Sequence, residues 1–176
     1  MGRSSQLLAG SVSDRQKSAN TGEGGMQPAA MTAEEMERRL RAEFPEAFHA
    51  VSGLAITEVR HGGARVSFAP TAGSIRPGGT LSGPTLMMLA DVAMYVAVLA
   101  TYGWVPLAVT TSLNINFLLK PPPAPVDAAC RLIKTGRRLA VGDVELWSQG
   151  ASGMVAHATS TYSIPPANTG PVNGVA

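Results

Sequence analysis

The chain has one cysteine, Cys130, few charged residues and only three histidines in 176 residues, and each shortage removes a class of function. A single thiol excludes an internal disulfide and any multi-cysteine metal cluster. Its neighbours Ala128, Ala129 and Leu132 read as strand residues around an ordinary packed thiol, not an activated nucleophile. His49, His61 and His157 are scattered without ligand spacing, so no metal is expected. Charged residues make up 15% of the chain, and the net charge of +2 is not concentrated in basic runs. Nucleic acid is therefore not the expected partner.

Apolar residues are plentiful, at 45% of the sequence, enough for one domain with a substantial core. Residues 1 to 30 are rich in Ser, Gly and Ala without a period and read as a disordered tail. The expected domain runs from 31 to 165, and 166 to 176 read as a flexible end. No signal-peptide core or transit-peptide composition stands out, so the expected location is cytoplasmic.

"TAEEMERRLRAEF" reads as a helix. Thr32 and Glu35 form a capping-box pattern, Met36, Leu40 and Phe44 follow at helical spacing, and Pro45 ends it. "LAITEVR" and "ARVSFAP" read as strands joined by the turn His61-Gly62-Gly63. After Gly103, four β-rich segments separated by Pro- and Gly-rich breaks predict an antiparallel meander.

The stretch "GGTLSGPTLMMLADVAMYVAVLATYG" is the most informative. From Pro84 to Ala100 it is apolar on every face except for Thr85 and Asp91. Its length suits a bilayer span, but Asp91, Gly103, Pro106 and the lack of flanking basic clusters favour a helix buried in a soluble domain. Ala90, Ala93, Ala97 and Ala100 share one narrow sector, which would let the helix backbone lie close to a sheet. Asp91 lies roughly opposite, among bulkier residues. An unpaired carboxylate in apolar surroundings costs several kcal/mol, so Asp91 needs a structural partner or a task. These features predict an α+β domain in which a curved antiparallel sheet wraps one long central helix.

The segments "GGTLSGPTLMMLAD", "AVTTSLNINFLLKP" and "TGRRLAVGDVEL" resemble the hot-dog-fold acyl-CoA thioesterases of the phenylacetate-degradation, PaaI-like type, over about residues 50 to 164. In that family the loop and helix typically read Asn, then His-Gly-Gly, then an acidic residue eight positions after the first Gly. The resemblance places Asp91 at the acid and Gly83 at the first Gly. Ser82 stands where the family has His, Pro84 where it has the second Gly, and Arg76 about where it has Asn. Thr110 matches the family hydroxyl that positions water near the acid.

Thioester hydrolysis needs donors aimed at the carbonyl oxygen, which a helix N-terminus supplies. Gly83 keeps its N–H, and Pro84 is favoured at a first helical turn. Ser82 can cap the helix, and Arg76, if it points inward, pairs with Asp91. Asp91 and Gly83 lie about 12 Å apart along one helix, too far to share one carbonyl. Two antiparallel copies of the helix would bring Asp91 of one chain to Gly83 of the other, and the resemblance also implies a homodimer or a tetramer made of two dimers.

The expected activity is hydrolysis of a medium- or long-chain or aromatic acyl-CoA, without a cofactor. Asp91 would act as general base or as nucleophile. Met87, Met88, Met94 and Tyr95 would line the acyl pocket or simply pack the core. Arg137 and Arg138 would meet coenzyme A phosphates or face solvent. The alternative is a protein of the same fold that binds an acyl-CoA or other hydrophobic ligand without hydrolysing it, since Ser82 and Arg76 replace the family His and Asn. A hydratase would want an Asp and His pair in one segment, and none is near Asp91.

Overall fold

The computed structural model describes residues 27–45 and 53–166. Most of the expected N-terminal tail, the end beyond 166 and His49 lie outside the described residues. Helix α1 (Ala33–Glu43) is followed by strands β1 (Leu54–Arg60) and β2 (Gly63–Phe68). A short hairpin, β3 (Ile75–Arg76) and β4 (Thr80–Leu81), leads into helix α2 (Gly83–Tyr102). Strands β5 (Val109–Phe117), β6 (Val126–Thr135), β7 (Leu139–Ser148) and β8 (Met154–Ser163) complete the fold.

Local chemistry sets the helix ends. Thr32 caps α1, its hydroxyl oxygen accepting from the Glu35 amide at 3.2 Å. The Glu35 carboxylate does not close the expected box; it pairs with Arg38 and Arg39 at 2.7 and 2.6 Å. Met36 and Leu40 are fully buried, while Phe44 sits half-open at the helix end. Pro84 lies in the first turn of α2, and Gly103 ends it at φ +84°, donating to the Leu99 carbonyl at 3.0 Å.

The six long strands form one antiparallel sheet in the order β1-β2-β6-β7-β8-β5. The β1–β2 hairpin turns at His61-Gly62, as its sequence indicates, with Gly62 at φ +78°. The expected four-strand meander holds only for β6, β7 and β8. Strand β5 does not pair with β6; it crosses to the far edge and pairs with β8. The connection "LLKPPPAP" explains this, because three consecutive prolines hold it extended and leave no tight-turn residues.

Helix α2 lies across the inner face of this sheet. Ala90, Ala93, Ala97 and Ala100 are all fully buried, as are Leu86, Leu89, Met94, Val96, Val98 and Leu99 of the same helix. By length and composition α2 could cross a membrane, but 61% of its most apolar window is buried inside the fold. On the sheet side Gly142 of β7 makes room for a side chain of α2: a Cβ there would stand 2.7 Å from Met94 Sδ and 3.0 Å from the Arg131 carbonyl oxygen. Met94 is fully buried there, so of the two readings given for it core packing holds. Gly142→Val should lower stability by about 1–3 kcal/mol through overpacking, and the melting temperature by about 2–4 °C for each of those kcal/mol. Thermal denaturation checks this; an unchanged melting temperature would mean that the gap at Gly142 is not tight.

Candidate active site

Asp91 projects from the middle of α2 on the side away from the alanine stripe and is half-buried. Its Oδ1 accepts two hydrogen bonds, from Thr110 Oγ1 at 2.7 Å and from the Tyr162 hydroxyl at 2.8 Å. The Tyr162 oxygen is also 3.3 Å from the backbone carbonyl of Asp91. Thr110 and Tyr162 are register partners on β5 and β8, so the strand that crosses to the far edge delivers the pair. The Tyr162 ring stacks on Tyr95, one turn beyond Asp91, at 6.1 Å between centroids. Tyr95 in turn donates to the Pro106 carbonyl at 3.2 Å.

Burial pushes the Tyr162 phenol well above the usual tyrosine range, with nearby Thr110 opposing the shift and the Asp91 charge adding to it. Burial, with a smaller contribution from Glu43, raises Tyr95 to about 12. Both phenols therefore stay protonated at neutral pH, and Tyr162 serves Asp91 as a donor. The carboxylate opens onto a cleft of about 430 Å³. Leu40 of α1, Phe44 at its C-cap, Val92, Tyr95, Ala108 and Val109 make it mainly apolar.

Gly83, the first residue of α2, belongs to a second cleft, of about 400 Å³. Among the described residues no acceptor is found for its amide. Arg76 and Lys120 line this cleft, and with the positive end of the helix dipole they make it suited to negative charge. The Phe117 ring lies against Gly83, 3.4 Å from where a Cβ would stand.

The remaining candidates separate. Ser82 is the N-cap of α2: its Oγ accepts from the Thr85 amide at 3.3 Å and shares a bond with Thr85 Oγ1 at 2.8 Å. Arg76 does not pair with Asp91 within the chain. The β3–β4 hairpin holds it near Gly83, and its Nε donates to Thr80 Oγ1 at 2.8 Å. Met87 is exposed, and Met88 is partly buried against the core. Exposed Arg137 and Arg138 flank a third cleft, beside Tyr102 at the far end of α2, about 16 Å along the helix from Asp91. The contributions of Tyr162, Phe117, Lys120 and Phe44 were not visible from sequence, because each depends on which strands and helices meet.

This architecture, a curved antiparallel sheet around one long helix, is the hot-dog fold. The Thioesterase superfamily profile matches residues 78–154. A candidate thioesterase from Silicibacter sp. TM1040 is 38% identical, over 81% of this chain and 96% of that one, with a TM-score of 0.70. A variant of the phenylacetic acid degradation protein PaaI from Thermus thermophilus is 28% identical, over 67% of this chain and 98% of that one, with a TM-score of 0.60. The PaaI protein of E. coli shares the fold at 20% identity, over 77% of this chain and 96% of that one, with a TM-score of 0.63. Among curated proteins none matches. The chain belongs to the thioesterase superfamily, and its relatives include PaaI-type proteins.

Two outcomes follow for residues outside the Asp91 cluster. Ser82→Ala should cost about 1 kcal/mol of stability through the lost cap, while Ser82→Asp, which still caps, should cost less; denaturant melts check the order. Cys130 is buried against Met94, and burial raises its thiol to about 12, with Asp143 adding to the effect. A thiol raised in the folded state favours folding at neutral pH, and that contribution fades as pH climbs from about 9, the unfolded value, toward 12. A thiol reagent at pH 8 should therefore label Cys130 only after unfolding; rapid labelling of the native protein would contradict its burial.

Proposed function

We propose that this protein is an acyl-CoA thioesterase acting on medium- or long-chain or aromatic acyl groups, as a homodimer in which Asp91 of one copy faces the Gly83 amide of the other. The observation that carries this reading is the division of the chemistry: a carboxylate held by two hydroxyl donors in an apolar cleft, and a free helix-end amide in a separate, positive one.

Three features support the pairing. Residue 87 is the midpoint between 83 and 91, so a two-fold axis relating the helices passes near Met87, which is exposed at 42%. Strand β5 is an unpaired sheet edge with exposed Val109 and Phe117 at its ends. Thr110 belongs to the Asp91 half-site and Phe117 to the Gly83 half-site. Antiparallel apposition of two β5 edges thus joins unlike halves and covers apolar surface.

Water held at Asp91 attacks the thioester carbonyl carbon and gives up a proton to the carboxylate. The Gly83 N–H stabilises the developing oxyanion. Collapse of the tetrahedral adduct breaks the C–S bond, and the departing thiolate takes up a proton, leaving free acid and coenzyme A. Direct attack by the carboxylate to give a mixed anhydride uses the same groups. The apolar walls of the Asp91 cleft, including Tyr95 and Phe44, suit the acyl group, and Arg137 and Arg138 are available to the coenzyme phosphates. A binding protein without turnover is favoured by one observation: Ser82 is engaged as a cap and Arg76 with Thr80, so neither does the work of the family His and Asn.

Free-thiol release across short, long and aromatic acyl-CoAs tests the reading. Asp91→Asn should lower turnover by about a hundredfold or more while the protein stays folded. Binding of acyl-CoA without turnover in the wild type would favour the non-catalytic protein. Mixing Asp91→Ala chains with chains whose Gly83 donor is disrupted should restore part of the activity. No recovery despite confirmed mixed dimers would rule out the shared site.

A further inference from the structure

We infer that Tyr162 is a positioning residue, which orients the Asp91 carboxylate so that one oxygen stays free for the reacting water. This rests on the thioesterase reading above. The Tyr162 hydroxyl reaches the Asp91 side chain and approaches its backbone carbonyl, at 2.8 and 3.3 Å. It therefore constrains the carboxylate relative to the helix. Thr110 bonds the same oxygen, Oδ1, at 2.7 Å. Among the described residues no donor is found on Oδ2, so it is the oxygen available to water.

The tyrosine is itself firmly held. Its ring is 3% exposed and stacks on Tyr95, which is anchored to the Pro106 carbonyl. Thr110, by contrast, lies on the exposed edge strand. A carboxylate on a half-open helix face could otherwise rotate between rotamers, and each wrong orientation would remove the base from the water. A buried hydroxyl on a stacked ring restricts that rotation from the sheet side. Tyr162 need not touch the substrate to do this.

The test is a double-mutant cycle with Tyr162→Phe, which keeps the ring and its stack, and Asp91→Asn, using the acyl-CoA that the wild type turns over fastest. Tyr162→Phe should lower kcat by about tenfold, the value of one hydrogen bond to a charged group, and leave KM within about twofold. In the Asp91→Asn background the same change should cost less than about twofold, because the carboxylate it orients is gone. A merely structural tyrosine would give the same fractional loss in both backgrounds, or a loss explained by a lower melting temperature, and either result overturns the inference. Where Tyr162→Phe does not fold, 4-aminophenylalanine and 4-methylphenylalanine at this position are matched in size and differ in the donor. The first should then exceed the second in kcat, and equal rates would overturn the inference. A wild type without turnover on any thioester would instead reject the thioesterase reading and this role with it.

Discussion

The packing of α2 against the sheet is the constraint on which the rest of the molecule depends. Four buried alanines on one side of a twenty-residue helix, and the missing side chain at Gly142 that makes room for Met94, seat the helix on the strands. So packed, the helix can neither rotate nor slide without driving larger side chains into the sheet. Its rotation aims Asp91 at the junction of β5 and β8. Its axial position sets the Gly83 amide at the mouth of the β3–β4 hairpin. A packing constraint between small residues thus places both chemical groups, although none of those residues takes part in the chemistry.

Asp91 shows how its environment adapts to a charge that an apolar helix would otherwise exclude. The carboxylate is not fully buried; it borders a cleft and receives two hydroxyl donors. Neutral hydroxyl donors stabilise the charge, and among the described residues no arginine pairs with it. The location of Arg76 fits this division. It lies beside the helix N-terminus, where its positive charge would favour the proposed oxyanion, and bonds to Thr80 instead of Asp91.

The central features were legible because they are local in sequence. The alanine spacing, the Ser82 cap, the proline in the first turn and the lone acid in an apolar run all lie within one helix and its approach. What was not legible is long-range. The crossing of β5 to β8 could not be read from strand patterns, since antiparallel strands of similar composition admit several orders. Tyr162 depends on that crossing. In "TSTYSI" it is one aromatic residue among small polar ones, and nothing nearby marks it as a partner of a residue on α2. The two readings of Met94 could not be separated from sequence for a related reason: helical position gives the direction of a side chain, but Gly142, on a distant strand, makes the space that buries it.

The same crossing underlies the proposed assembly. With β5 at the sheet edge, the strand's two ends carry components of the two clefts, Thr110 beside the acid and Phe117 beside Gly83. An antiparallel pair of such edges matches the start of one strand to the end of the other, which is also what an antiparallel pair of α2 helices requires. Had β5 remained next to β6, in meander order, Thr110 would not be the register partner of Tyr162, and this edge would not join the two half-sites. One choice of strand order therefore gives the carboxylate its hydroxyl donors and supplies an edge that can bring a second copy into register.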